Sequence, residues 1–274
     1  MNQDNSVLDE IRTKKPLIHH ITNNVTMMLL ANGVLAAGGS PMMVHAEEEV
    51  AEAVAAAQSL VINIGTLTPS AARSMTEALM LAVQKGVPIV IDPVAVGMTK
   101  LRQNTLNDLL SASEGAMRTL CGNAAEIHFL AEKEWKGRGV DGEMNVRHLT
   151  NVAEKAAQQT GCLIVMTGVK DIISNGKKTI IIKSGHELMA KMTGTGCFAS
   201  SLTALFLANS LTAKLCPVQK AARAMLMLGM CAEKAAQTSE GSGTFAVRLL
   251  DELCLLNGND LEKRYDECVM ERVI

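Results

Sequence analysis

The segment Met192-Thr193-Gly194-Thr195-Gly196-Cys197 stands directly before a helix-forming run at 198–207. Small residues let a backbone approach a ligand closely, and the first turn of a helix offers unpaired N–H groups and the positive end of its dipole. The segment therefore suits an anion such as a phosphate, with Cys197 at the positive end. A glycine-rich turn before a helix is also ordinary packing punctuation, so the assignment depends on its surroundings. Two familiar cradles are excluded, because the sequence has neither G-x-x-x-x-G-K-[ST] nor a G-x-G-x-x-G after a strand.

The elements that must carry such a turn follow from periodicity. Short β-branched runs at 60–64, 87–91 and 163–165 alternate with long helical patterns. That alternation predicts a mostly parallel sheet flanked by helices on both faces. Thr68 can cap a helix with Pro69 at its first position, a body at 70–85 and a stop at Gly86, after which a strand leads to Asp92. Runs at 171–174 and 178–183 flank Asn175-Gly176, which predicts a type I′ hairpin and an antiparallel return. The C-terminal third reads as wholly helical, and 135–144, with three glycines, reads as an exposed loop.

Ligands of doubly wound folds gather beyond the carboxyl ends of the parallel strands. Asn63 with Gly65-Thr66, Asp92, Gly122-Asn123-Ala124-Ala125-Glu126 and Thr167-Gly168 all fall at such ends. Their convergence strengthens the phosphate reading. Asp92 and Glu126 also have plain alternatives, as a strand-end cap and a helix N-terminal carboxylate. The adjacent His19 and His20, and His45, have no partner at metal-ligand spacing and read as hydrogen-bonded structural residues.

Composition bounds the rest. The 274 residues, 48% of them hydrophobic, suffice for one large α/β domain spanning 1–274. Aromatics at 2%, with 17 methionines and a net charge of −2, argue against a base-stacking or polyanion-binding surface. Seven cysteines, odd in number and without a C-x-x-C pair, and the lack of a secretory signal point to the cytoplasm. Apolar runs such as 224–232 are far shorter than the roughly 18 to 20 residues a membrane span needs.

Over nearly its whole length the chain resembles the hydroxyethylthiazole kinase family of the ribokinase-like superfamily. The resemblance rests on His19-His20-Ile21-Thr22-Asn23-Asn24-Val25-Thr26, Gly39-Ser40-Pro41-Met42-Met43, Asn63-Ile64-Gly65-Thr66-Leu67, Ile91-Asp92-Pro93-Val94-Ala95-Val96-Gly97, Gly122-Asn123-Ala124-Ala125-Glu126-Ile127 and Thr193-Gly194-Thr195-Gly196-Cys197. It implies a single ribokinase-like domain that phosphorylates 4-methyl-5-(2-hydroxyethyl)thiazole with ATP and Mg²⁺ in thiamine biosynthesis. It further implies a homotrimer with active sites at subunit boundaries.

By motif, the resemblance assigns Met43, Gly194 and Asn23 to the thiazole alcohol. Thr167, Asn123 and Gly196 go to ATP, Glu126 and Asp92 to Mg²⁺, and Cys197 with Gly194 and Gly196 to the catalytic turn. Cys197 stands where most of the superfamily has a catalytic aspartate. A free thiol titrates near pH 8.5 and a helix N-terminus lowers that value, so Cys197 is expected to be partly thiolate, as a modest base or a positioning group. A buried inert cysteine is the alternative.

One departure stands out. Where the family pattern reads Arg-Gly-Asn-Ala, with the arginine on ATP phosphates, this chain has Cys121-Gly122-Asn123-Ala124. A thiol cannot replace a guanidinium fork, which predicts weaker ATP binding or another compensating cation. The change also keeps open a degenerate, binding-only sensor. The related hydroxymethylpyrimidine kinase and ATP-dependent hydrate dehydratase are the alternatives among enzymes, and Cys197 in place of aspartate favours the thiazole kinase.

Overall fold

The computed structural model describes residues 6–135, 145–212 and 214–273. The strands are β1 (Leu17–Ile21), β2 (Ser40–Met42), β3 (Ser59–Asn63), β4 (Ile89–Asp92), β5 (Arg118–Asn123), β6 (Leu163–Thr167), β7 (Asp171–Ser174), β8 (Lys178–Ile182) and β9 (Val269–Val273). The helices are α1 (Val7–Lys14), α2 (Met27–Ala37), α3 (Val50–Ala56), α4 (Pro69–Lys85), α5 (Lys100–Ala112), α6 (Ala124–Glu132), α7 (Val146–Thr160), α8 (Thr195–Leu207), α9 (Pro217–Gln237), α10 (Ser242–Leu255) and α11 (Gly258–Cys268).

Among the described residues nine strands join one sheet in the order β2-β1-β3-β4-β5-β6-β7-β8-β9. Pairings from β2 to β6 are parallel, and β7 to β9 return antiparallel. Alternate residues feed two cores. Val61, Val90 and Val165 pack with α1, α2 and α8 to α11, whereas Leu60, Ile62, Ile89, Ile91 and Ile164 pack with α3 to α7. Strands buried on both faces are continuously apolar for this reason.

The local signals were translated closely in the middle of the chain. Thr68 caps α4 by accepting from the Ala71 N–H at 3.1 Å, Pro69 is its first residue and Gly86 follows its end. The turn between β7 and β8 differs from expectation. Gly176 has φ 80°, but neither Asn175 nor Lys177 has a positive φ, and the Asn175 N–H donates to the Lys178 carbonyl at 3.2 Å. The central pair is thus Gly176-Lys177 in the type II′ pattern, because type I′ needs positive φ at both central residues. Asn175 caps the turn instead, accepting from the Lys177 and Lys178 N–H groups.

The C-terminal third is not wholly helical. After α11 the chain adds β9 to the edge of the sheet, where its backbone pairs with β8 and Glu271 meets Lys178 at 2.9 Å. This strand owes its existence to a ladder with a distant edge rather than to a buried apolar face, so local periodicity did not reveal it. The loop expected at 135–144 lies, apart from Trp135, outside the described residues. Trp135 meets Phe129 edge-on at 6.4 Å between ring centroids.

Candidate active site

The parallel register brings six strand ends to one rim of the sheet. Met43 follows β2, Asn23 follows β1, Asn63 ends β3, Asp92 ends β4, Asn123 ends β5 and Thr167 ends β6. Asn63 pairs with Asp92 and Asn123 with Thr167 in the ladder. With strands about 4.8 Å apart, the row from Met43 to Thr167 spans roughly 24 Å. Helix α8 crosses β3, β4 and β5 with its first turn near the middle of this row.

Gly194 makes that arrangement possible. It caps α8 with φ 91°, a conformation that L side chains rarely adopt, and a Cβ there would stand 2.6 Å from Thr26 Cγ2. Its neighbour Gly196 is exposed, and a Cβ on it would meet nothing within 4 Å. The first turn thus presses on α2 at one residue and leaves its face open at another.

Asn23, Asn63, Asp92 and Cys197 form one hydrogen-bonded group. Asn63 Nδ2 donates to Asp92 Oδ2 at 2.5 Å and to Cys197 Sγ at 3.2 Å, while Asn23 Nδ2 donates to Asn63 Oδ1 at 3.0 Å and to Cys197 Sγ at 3.5 Å. Asn23 Oδ1 accepts from the Val25 and Thr26 N–H groups and from Thr26 Oγ1. The amide expected to touch substrate is therefore already committed to the protein's own frame.

The electrostatics correct a second expectation. Burial, and then the nearby Asp92 carboxylate, push the Cys197 thiol up to about 12. Cys197 is a thiol at neutral pH and not a partial thiolate, because a second anion beside Asp92 in a dry site is disfavoured more than a helix terminus favours it. Burial, and then the Glu126 charge, raise the Asp92 carboxyl above the usual carboxylate range, opposed by hydrogen bonds from Cys197, Ser200 and Asn63.

On the far side of Asp92, Glu126 and Asn123 form a capping box for α6. Glu126 Oε2 accepts from the Asn123 N–H at 2.8 Å, and Asn123 Oδ1 accepts from the Glu126 N–H at 3.0 Å. Glu126 Oε1 also accepts from the Ala95 N–H at 2.8 Å, so this carboxylate fixes the turn after β4 as well as its own helix. Thr167 Oγ1 donates to the Gly122 carbonyl at 3.4 Å. Met43 is half-buried against the α8 core, and its segment is tied down by His19 Nε2 to the Val44 carbonyl at 2.9 Å and by Ser74 Oγ, which donates to the His45 carbonyl at 2.8 Å.

Residues 8–259 match the hydroxyethylthiazole kinase family. The hydroxyethylthiazole kinase of Methanocella arvoryzae is 41% identical, over 93% of this chain and 94% of that protein. The chain belongs to the hydroxyethylthiazole kinase family. The solved hydroxyethylthiazole kinase protein from Pyrococcus horikoshii superposes with a TM-score of 0.84 at 35% identity, over 97% of both chains. An ADP/ATP-dependent NAD(P)H-hydrate dehydratase from Bacillus subtilis, co-crystallised with ATP/Mg²⁺, shares the fold at a TM-score of 0.59 and 17% identity.

The position where the resemblance led us to expect an arginine lies inside the sheet. Cys121 is 1% exposed on β5, one step past the Ile91–Leu120 pair and hence level with Asp92. Burial, and then Asp92, drive its thiol well above the ordinary range, with Asp171 and Glu126 adding to the effect and a hydrogen bond with Ser200 opposing it. Asn63 was named at a strand end but given no role, and Thr26, Ser200 and Asp171 were missed as members of this region. Asn63 alone carried a local signal, as an amide closing an apolar strand.

Proposed function

We propose that the chain transfers the γ-phosphoryl group of ATP to the primary alcohol of 4-methyl-5-(2-hydroxyethyl)thiazole, yielding the thiazole phosphate and ADP. The observation that carries this reading is the row of strand-end residues from Met43 to Thr167 beneath the open first turn of α8, in a chain of this family. The alcohol lies toward Met43 and Gly194, and the nucleotide toward Asn123 and Thr167. Residues 1–274 act as one kinase domain.

Phosphoryl transfer asks mainly for alignment and for neutralisation of charge on the moving group. The N–H groups of the Gly194 to Cys197 turn supply fixed donors to the developing charge, and the exposed Gly196 leaves them accessible. A loose transition state keeps the hydroxyl proton until late, so a protonated Cys197 serves as a positioning group.

The donor set on this rim suits Mg²⁺. Asp92 and Glu126 are buried carboxylates close enough that one raises the other's pKa, and hard oxygen ligands of this kind match that ion. Bound with ATP phosphates and water, Mg²⁺ would neutralise phosphate charge, with Asp92 and Glu126 holding it from the protein side. Among the described residues no group of three or more His, Cys, Asp or Glu could by itself hold a metal.

A homotrimer with sites at its subunit boundaries belongs to the same reading. Val25 in the turn before α2 and Met28 and Leu35 on that helix are 69%, 78% and 58% exposed, beside the Thr26 that packs on Gly194, and a second copy covering them would close the acceptor side. The setting is cytoplasmic, and among the described residues no helix is long and apolar enough to cross a membrane.

Mass spectrometry of the purified protein with Mg²⁺, ATP and the thiazole alcohol tests the activity. Thiazole phosphate formed together with ADP is the expected result. Saturable binding of both ligands by folded protein without product would overturn it in favour of a binding-only sensor.

A further inference from the structure

Asn63 ends a strand whose preceding residues Leu60, Val61 and Ile62 are fully buried, and is itself 2% exposed. An amide in such a place costs free energy unless its hydrogen-bonding groups are paired. It has two N–H donors and two acceptor lone pairs, and all four are used. Oδ1 accepts from the Gly65 N–H and from Asn23 Nδ2, each at 3.0 Å. Nδ2 donates to Asp92 Oδ2 at 2.5 Å and to Cys197 Sγ at 3.2 Å.

The orientation of this amide is fixed by chemistry. A backbone N–H can only donate, so Gly65 requires the oxygen on its side and turns the nitrogen toward Asp92 and Cys197. Asn23 braces the oxygen from behind, itself anchored on the turn that opens α2. A frame of neutral amides thus runs from β1 to the two side chains under the α8 terminus. An apolar side chain could fill the same volume without directing either of them.

We propose that Asn63 is a positioning residue for phosphoryl transfer, holding the Cys197 thiol and the Asp92 carboxylate in one fixed arrangement; this rests on the kinase reading above. Its role is to set geometry that transfer needs and that ligand binding tolerates losing. Misplacement of reacting groups by about 1 Å costs on the order of a hundredfold in rate.

Asn63→Asp keeps both acceptors and removes both donors, and Asn63→Ala removes all four groups and leaves room for water. For each, kcat and both KM values are measured beside a thermal unfolding curve, first alone and then in an Asp92→Asn background. The expected result is a kcat about a hundredfold lower with KM changed less than about threefold. In the Asp92→Asn background the same substitutions cost less than about tenfold, since one of the two groups they act through is already altered and only the Cys197 thiol remains to be positioned.

Unchanged kcat in Asn63→Ala would overturn the proposal. So would a loss of the same size with and without Asp92, which a structural role alone would give. If Asn63→Asp fails to fold because its new carboxylate faces Asp92, Asn63→Ala decides the question. Folded, unaltered protein that makes no thiazole phosphate overturns the kinase reading and this inference together. An active unaltered enzyme with an equally active Asn63→Ala overturns this inference alone.

Discussion

The two halves of the strand-end row are built from different chemistry. On the β1 and β3 side, Asn23 and Asn63 are neutral amides whose hydrogen-bonding groups are spent on one another, on the α2 turn and on Cys197. On the β4 to β7 side, beside the neutral Asn123 and Thr167, stand three carboxyl groups: Asp92, Glu126 and Asp171 all act on the position of Cys121. The first half gains rigidity at no electrostatic cost, because amides satisfy each other without net charge. The second concentrates negative charge in a desolvated place, which is stable only as far as protons, backbone N–H groups or a bound cation offset it. On the proposed function, with the alcohol on the first half and the nucleotide on the second, the comparison gives geometry to the acceptor half and charge handling to the nucleotide half.

The sharpest way to break the comparison is Gly194→Ala. The substitution strains a φ of 91° and drives a methyl group to 2.6 Å from Thr26 Cγ2, so the α8 turn must move off α2. Expected is a fall in kcat/KM for the thiazole alcohol of at least about a hundredfold, with ATP affinity much less affected. Equal losses for both ligands would mean the two halves are not separable. Next in size is Cys121→Arg. A guanidinium level with Asp92 meets carboxylates already present and reaches toward the phosphates, so calorimetry should find ATP bound about tenfold more tightly. Unchanged or weaker ATP binding by the folded variant would show that charge is not what the nucleotide half lacks.

Much of this plan was readable from the residues, and the failures have physical reasons. The α4 unit was legible because cap, first-turn proline and terminal glycine act within a few residues of one another. The strand ends were legible because apolar runs stop abruptly at Asn63, Asp92 and Asn123. The β9 strand was not, since what holds it is backbone pairing to an edge some 90 residues away in sequence. The state of Cys197 was misread because its position in a helix is a local fact, whereas the Asp92 beside it comes from another strand. Asn63 was noticed but not weighed, because the value of an amide lies in partners that only folding assembles.

Smaller effects test the same division. Cys197→Ala removes a thiol that stays protonated near neutrality, so turnover should fall less than about tenfold and the pH–rate profile should keep its shape. A lost alkaline limb would instead reveal a working thiolate.

The smallest effect concerns stability in the charged half. Burial raises the Asp171 carboxyl from 3.8 to about 7, although it accepts from the Gly168 N–H at 3.1 Å. A raised carboxyl binds its proton more tightly in the folded chain than in the unfolded one. Its contribution is therefore complete below the unfolded pKa and is lost as pH rises through about 7. Asp92 is shifted in the same direction and adds to this slope. The buried His19 and His20, shifted downward, pull the other way, so the test is a difference: between about pH 4 and about pH 7 the urea midpoint of the ligand-free protein should drop relative to that of Asp171→Asn, whose amide oxygen can still accept from Gly168. Equal changes in the two proteins would mean that Asp171 ionises normally in the fold, and the strain of the charged half would then rest on Asp92 and Glu126 alone.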